Sequence, residues 1–297
     1  MKEKVFLKGN DMIREVAGLY FSATGNTKRV TERIAKRLSG FFGCPVRYVS
    51  FTLPGERENV ISFGPDTLAV IGMPTYAGKL PNLILPAVKE KLEGNGTIAV
   101  PVVTYGNRSF DNSLAELAAV LSSNGFVPVS AAAFACRHAF TDLLAPGRPS
   151  EEDLAAADRF AAETAGLIKD ALQNGGKLPG KAVPDPGFIP GDADAPYYVP
   201  KGTDGQPAKF LKAKPKTDPE KCTKCGLCAK LCPMGSIDGR DYSLVSGICI
   251  KCQACVRECP EKAKYFDDPA FLSHVSMLEQ SFSSPKEDRF FYPAKEI

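Results

Sequence analysis

Eight cysteines within 38 residues constrain this chain more than any other feature of it. They form two copies of one run, Cys222-x2-Cys225-x2-Cys228-x3-Cys232-Pro233 and Cys249-x2-Cys252-x2-Cys255-x3-Cys259-Pro260, offset by 27 residues. Thiols at i, i+3 and i+6 wrap a short loop around three corners of a tetrahedral metal cluster, so the fourth thiol must arrive from the far side. Runs of this spacing hold [4Fe–4S] clusters, with the fourth cysteine of each run ligating the other cluster. The spacing therefore predicts one cluster on Cys222, Cys225, Cys228 and Cys259, and a second on Cys249, Cys252, Cys255 and Cys232. Paired CxxC motifs also read as zinc sites, but four cysteines in eleven residues, duplicated and each closed by Cys-Pro, do not make separated zinc knuckles. A disulfide scaffold needs an oxidising compartment. The N-terminal MKEKVFLKGNDM is too charged, and its apolar stretch too short, for an export signal, so a cytoplasmic protein is expected.

The remaining sequence is that of an ordinary globular protein. Of 297 residues, 44% are hydrophobic and 24% charged, which excludes collagen-like, wholly disordered and repeat-only chains. A chain of this length is expected to divide into two domains. No apolar run approaches the roughly 20 residues that span a bilayer. A net charge of +3, evenly spread, does not argue for nucleic acid.

Residues 1–173 alternate between two periodicities. Apolar runs at Val16–Phe21, Val46–Phe51, Leu68–Met73, Ile98–Val103 and Val127–Phe134 predict buried strands. Amphipathic stretches at Thr27–Leu38, Pro81–Leu92, Phe110–Ser123 and Glu151–Leu172 predict helices, the last opened by a capping box at Ser150 and Asp153. The alternation predicts an α/β domain with a parallel sheet covered on both faces. Residues 174–217 hold eight of the chain's 24 prolines and no apolar periodicity, which predicts a semi-extended linker. Residues 218–266 form the cysteine-rich unit, and 267–297 a polar tail with Phe290, Phe291 and Tyr292 as apolar anchors.

Three loops at the carboxyl ends of the predicted strands carry the second chemistry. The first is Ser22-Ala23-Thr24-Gly25-Asn26-Thr27, a hydroxyl-rich strand-to-helix turn whose free N–H groups and positive helix end suit a phosphate without any basic side chain. It matches neither the G-x-G-x-x-G fingerprint nor Walker A. The second is Gly72-Met73-Pro74-Thr75-Tyr76-Ala77-Gly78, and the third Thr104-Tyr105-Gly106-Asn107-Arg108, with Asp111 close behind. Each offers a tyrosine to stack on a flat ring, at the switch point where doubly wound sheets bind ligands.

With these loops in view, residues 14–173 resemble flavodoxin-like domains, which bind FMN through a T/S-x-T-G-x-T phosphate turn and two aromatic-bearing loops. The chain as a whole resembles the flavodoxin–ferredoxin fusion proteins of anaerobes. The resemblance implies a five-stranded parallel sheet in the order 2-1-3-4-5 joined to a small α+β ferredoxin unit. It implies that Ser22, Thr24, Gly25, Asn26 and Thr27 hold the FMN phosphate. It further implies that Pro74, Thr75, Tyr76, Ala77 and Gly78, with Thr104, Tyr105, Gly106 and Asn107, flank the isoalloxazine. The chain has no tryptophan, so Tyr76 and Tyr105 are the aromatic groups available for stacking. Residues 1–150 sum to +5, where flavodoxins are commonly acidic.

Two kinds of redox cofactor on one chain imply an electron-transfer protein converting between two-electron and one-electron steps, serving a redox partner protein or a small-molecule donor or acceptor. A second reading is an FMN-dependent reductase of a small organic substrate, with Tyr76, Arg108 and His138 as its polar groups. A third is an iron–sulfur redox sensor, which would need an output element; no basic recognition helix is evident. Cys136-Arg137-His138 is read as a buried thiol and a loop histidine, and Cys44 and His274 carry no role. The linker's length is compatible with a homodimer in which one subunit's ferredoxin unit serves the other's flavin.

Overall fold

The computed structural model describes residues 13–173 and 187–293. The N-terminal dodecamer, the first part of the expected linker (174–186) and the last four tail residues lie outside them. Val16–Phe21, the first apolar run, becomes strand β1 (Glu15–Tyr20), followed by helix α1 (Asn26–Phe42) and β2 (Val46–Ser50). A short β3 (Ile61–Phe63) precedes β4 (Thr67–Pro74), α2 (Leu85–Lys91) and a short β5 (Leu92–Gly94). Then come β6 (Thr97–Tyr105), α3 (Ser113–Ser123), β7 (Phe126–Pro128), β8 (Ala131–Ala135) and α4 (Glu151–Gln173).

The central sheet runs β2-β1-β4-β6-β8, all parallel. Counting only these five strands, the order is 2-1-3-4-5, the flavodoxin-like doubly wound arrangement. The predicted strand Val127–Phe134 is in fact two: β7 pairs with the start of β6 and β8 with its end. Both faces are covered, which is why β4 and β6 are apolar throughout rather than alternating. On one face Ala69, Ile71, Val103 and Leu117 share a core with α2 and α3. On the other, Val70, Val102, Ile34 and Phe160 share a core with α1 and α4. The capping box at the start of α4 is present, with Ser150 N–H donating to Asp153 Oδ2 at 2.6 Å and Asp153 N–H to Ser150 Oγ at 3.3 Å.

Helix α1 lies unusually close to the sheet. A Cβ on Gly72 would stand 1.9 Å from Thr31 Oγ1, so only glycine fits where the helix that follows the hydroxyl-rich turn crosses β4.

The cysteine-rich segment is small: β9 (Lys216–Thr217) pairs antiparallel with β10 (Lys264–Tyr265), and between them lie the short helices α5 (Leu227–Lys230) and α6 (Ala254–Arg257). Helix α7 (Pro269–Ser281) follows, N-capped by Asp268, whose Oδ1 accepts from Phe271 N–H at 2.9 Å. Phe271 packs on Phe140, Phe210 and Phe266.

The tail then returns to the α/β domain. Strand β11 (Arg289–Phe291) pairs antiparallel with β8 and covers that edge of the sheet. Phe290 packs on Phe134 and Phe160, and Phe291 on Phe110. Residues 187–200 of the expected linker lie along the α/β domain as well. Ile189 is buried in its core, Tyr198 N–H donates to Ala77 O, and Tyr197 Oη donates to Leu80 O. Beneath them the buried ion pair Lys79–Glu116 (3.0 Å) anchors the segment, with Lys79 Nζ donating to Ala193 O and Ala195 O. No helix among the described residues is long and apolar enough to cross a membrane.

Candidate metal centres and phosphate turn

The duplication seen in the cysteine spacing extends to the backbone. Lys224 and Lys251 (both φ 57°), Gly226 and Gln253 (77° and 67°), and Gly235 and Lys262 (58° and 51°) are left-handed residues, each pair 27 apart. Left-handed turns at these points bend the loop around its interior. The same offset relates two N–H···S contacts: Ser236 N–H donates to Cys232 Sγ and Ala263 N–H to Cys259 Sγ, each at 3.3 Å. Such donors stabilise a metal-bound thiolate and tune cluster potential.

Two cavities result, and the runs cross between them. One is lined by Cys222, Cys225, Cys228 and Cys259, the other by Cys232, Cys249, Cys252 and Cys255. Among the described residues no three His, Cys, Asp or Glu side chains close on a single-ion site. Each cavity brings four thiols together, three of them from one cysteine run and one from the other. A four-iron cluster suits this donor set. The cavities differ in exposure: Cys225 is exposed, whereas Cys252 and Cys255 are buried. Burial pushes the thiols of Cys249 and Cys252 up, and that of Cys255 to about 12, so loading this cavity must displace protons.

The phosphate turn opens α1. Gly25 sits at the N-cap with φ 88°, and open space lies where its Cβ would be. Ser22 is part of the cap: its Oγ accepts from Lys28 N–H at 3.0 Å, while its own N–H donates to Thr52 Oγ1. Thr27 is buried, with Oγ1 2.7 Å from Thr104 Oγ1, and Asn26 Nδ2 donates to Arg137 O at 3.2 Å. Gly25 is exposed and Thr24 half-buried, and the first turn carries no acidic residue. An anion at this helix end meets N–H groups and no opposing carboxylate from that turn, which fits a phosphate.

The two tyrosine loops have separate roles. Tyr76 opens a tight turn closed by paired bonds with Lys79, across the left-handed Ala77 and Gly78. Burial holds the Tyr76 hydroxyl well above its usual range, and the thiols of Cys252 and Cys249 raise it further. Thr75 Oγ1 meets Ser113 Oγ at 2.6 Å, and Pro74 ends β4. Tyr105 does not stand at a ligand-facing surface. It is the last residue of β6, is buried against Phe110, and donates its hydroxyl to Glu287 O. Asn107, fully buried, donates to Phe282 O and Ser284 O and accepts from Lys286 N–H. The tail thus takes up the side chains of Tyr105 and Asn107, and the expected pair of stacking tyrosines reduces to Tyr76. Gly106 is covered by the His138 ring, which would stand 2.3 Å from a Cβ there.

Residues without a sequence motif hold the cysteine-rich segment in place. The Arg57 guanidinium donates to Phe51 O and Thr52 O, reaches Pro233 O at 2.7 Å, and lies over the rings of Phe21 and Phe51. Arg257 donates from Nε to Ala139 O and from Nη2 to His138 O, both at 2.9 Å, and pairs with Asp142. Met234 and Ile250 pack against the α/β core. The second cavity is therefore fixed over the carboxyl edge of the sheet, on loops that follow β2, β4 and β8.

The polar groups named for a reductase are otherwise engaged. Arg108 pairs with Asp111 and lies 4.0 Å from the Tyr198 ring centroid. His138 is held neutral by burial, its pKa lowered to about 3, and its Nδ1 accepts from Phe140 N–H. Cys136 lies in the core beneath α4, its thiol raised by burial, and makes no pair with His138. His274 bonds Lys201 O through Nδ1 at 2.8 Å.

Two families, both described as 4Fe-4S binding domains, match residues 215–238 and 246–264. The pyruvate synthase subunit PorD of Methanothermobacter marburgensis is 40% identical over 50 residues, which is 17% of this chain and 60% of that protein. An archaeal flavodoxin is 16% identical with a TM-score of 0.37, covering 52% of this chain and 99% of the other. A Streptococcus pneumoniae flavodoxin is 21% identical with a TM-score of 0.37, covering 51% and 98%. The chain joins a flavodoxin-like α/β fold to a ferredoxin-like 4Fe-4S region.

Proposed function

We propose that this chain is an electron-transfer protein that binds two [4Fe–4S] clusters and one FMN and exchanges electrons with a separate redox partner. The two cysteine sets named above are the cluster ligands, the turn Ser22–Thr27 holds the FMN phosphate, and the loop Thr75–Gly78 borders the flavin ring. When bound, FMN supplies one- or two-electron exchange and each cluster one electron at a time. The chain's own part is placement. Arg57 and Arg257 hold the second cysteine cavity over the carboxyl edge of the sheet. N–H donors at Cys232 and Cys259 set the electrostatics of the thiolates, and burial around Cys252 and Cys255 keeps water from one cavity.

The observation that carries this reading is the seating of the second cysteine cavity on the α/β domain of the same chain, where Arg57 reaches Pro233 O and the cavity residues Met234 and Ile250 pack on the α/β core. An unrelated metal module would have no reason to be pinned there. Anaerobic purification with an absorption spectrum, iron and sulfide assay, and flavin extraction tests it. About eight irons, eight sulfides and one FMN per chain are expected. Zinc in place of iron and sulfide would overturn the cluster assignment. Full iron without flavin after reconstitution with FMN would overturn the flavin site.

A further inference from the structure

Hydrogen bonds bring two separate segments side by side at the outer lip of the second cysteine cavity. Lys214 Nζ donates to Val245 O at 2.7 Å, and Lys251 Nζ donates to Leu211 O. Ile237 bridges Val245, and Ser236 Oγ donates to Ile248 O. Pro215, Val245, Cys249 and Ile250 line the cavity itself. The residues displayed outward at this lip are aliphatic: Leu211 is 89% exposed, Ile248 64% and Leu244 51%. Scattered exposed leucines need no explanation, but a group of three beside a redox cavity does.

The charge on the Leu211 side of the group is positive, whereas Asp238 and Asp241 flank Leu244, each joined to it by a backbone hydrogen bond. Segments 205–217 and 242–257 contain Lys209, Lys212, Lys214, Lys216, Lys251 and Arg257, and no aspartate or glutamate. Lys216 is paired with Asp267, and Arg257 with Asp142. Lys214 donates to a backbone carbonyl, which carries no full charge, so its own charge remains available, while Lys251 also feels Asp268. An apolar centre with a basic rim is the anatomy of a transient docking site, where the centre provides contact and the rim steers encounter.

From this we infer that the face formed by Leu211, Leu244 and Ile248, rimmed by Lys209, Lys212 and Lys214, docks a small acidic one-electron carrier protein. The inference rests on the electron-transfer reading above and adds the partner's surface chemistry and its place of contact. A basic carrier would be repelled by Lys209, Lys212 and Lys214 on the Leu211 side of this rim. Docking here would set the carrier against the lip of the cavity seated on the α/β domain, rather than against the exposed Cys225 of the other cavity.

The test uses the full holoprotein, prepared anaerobically, with an acidic bacterial 2[4Fe–4S] ferredoxin as the probe, both oxidised, and affinity measured by calorimetry. Binding should weaken at least ~10-fold between low and physiological salt, as screened charge steering requires. The variants Lys212→Glu and Leu211→Ser, both at exposed positions, should each weaken it several-fold, leave iron and flavin content unchanged, and in combination abolish it. A Lys230→Glu control, on the other run, should have no effect. No binding by a fully loaded holoprotein, or binding unaffected by Lys212→Glu and Leu211→Ser, would overturn the inference while leaving the cofactor assignment standing. So would self-association that these variants disrupt, or equal capture by anionic lipid vesicles. A failed iron or flavin assay would instead strike the underlying reading.

Discussion

Replacing Arg257 by alanine should loosen the cysteine-rich segment from the sheet domain without unfolding either. The side chain is 12% exposed and donates to Ala139 O and His138 O, both in a loop packed beneath it, besides pairing with Asp142. Hydrogen bonds to a charged group are each worth about 1.5–3 kcal/mol. Asp142 is 70% exposed, so its pairing adds little. Two charged bonds lost, less what water recovers on the freed carbonyls, come to about 3 kcal/mol of docking free energy. That raises the open population by about 150-fold. Native-state hydrogen exchange on the holoprotein reads this directly, through amides of residues 139–144 and 254–258, while amides of β4 and β6 should be unchanged. Arg257→Lys, with one ammonium for two carbonyls, should fall between. A rise of less than about threefold, equivalent to ~0.7 kcal/mol, would refute the claim that this arginine fixes the interface.

Other consequences can be checked separately. Gly72→Ala forces a methyl against Thr31 Oγ1, which should cost about 1–3 kcal/mol in denaturant unfolding and weaken FMN retention by shifting α1. Glu116→Gln strands the Lys79 ammonium in a buried site and should cost about 3–5 kcal/mol, with exchange at residues 193–198 rising first. Asp288, buried beside Arg148 and Asp153 and accepting from Ala135 N–H, has its pKa raised by burial to about 6. Its folded value exceeds the unfolded one, so its contribution is complete below about pH 4 and lost as pH rises through 6. Exchange at the Ala135 and Arg289 amides, corrected for the intrinsic rise of amide exchange with pH, should therefore increase between about pH 4 and 6, and Asp288→Asn should flatten that corrected dependence. Asn107→Leu removes the three bonds to residues 282–286 and should expose the tail to proteolysis while the α/β core stays resistant.

What could be read from the sequence follows how local each signal is. The cysteine runs are a local pattern, and their crossing follows from the geometry of a cluster, so the two sets that line the cavities were legible by count. Strands β4 and β6, buried on both faces, announce themselves as unbroken apolar runs, and the alternation with amphipathic helices leads to a parallel sheet covered on both faces. Its order follows only from the resemblance to flavodoxin-like domains. The tail strand was not legible. Arg289-Phe290-Phe291 is three residues long, and its partner Ala133 lies more than 150 positions away. Separations of 176 positions for Arg57 and 118 or 119 for Arg257 hid these residues, whose value lies in backbone carbonyls that no side-chain pattern encodes. Tyr105 is different, since a usable signal existed. Side chains alternate along a strand, and Val103 faces the α3 core, so Tyr105 two residues on must face it too. Treating Tyr105 as a loop residue ended β6 too early, and the tyrosine was assigned to a ligand when it belongs to the fold. The described part of the proline-rich segment misled for a related reason: prolines predict extension, and extended chain can lie along a surface as well as span a gap.

The central claim is that two crossed cysteine sets hold clusters, one of them seated on the α/β domain of its own chain. Crystals grown anaerobically and measured across the iron absorption edge test it most directly. The account predicts two four-iron peaks in the anomalous map. One should fall among Cys222, Cys225, Cys228 and Cys259, and the other among Cys232, Cys249, Cys252 and Cys255. Flavin density should run from the Ser22–Thr27 turn to Tyr76. Single-metal peaks, a signal at the zinc edge, or clusters built from uncrossed runs would contradict it.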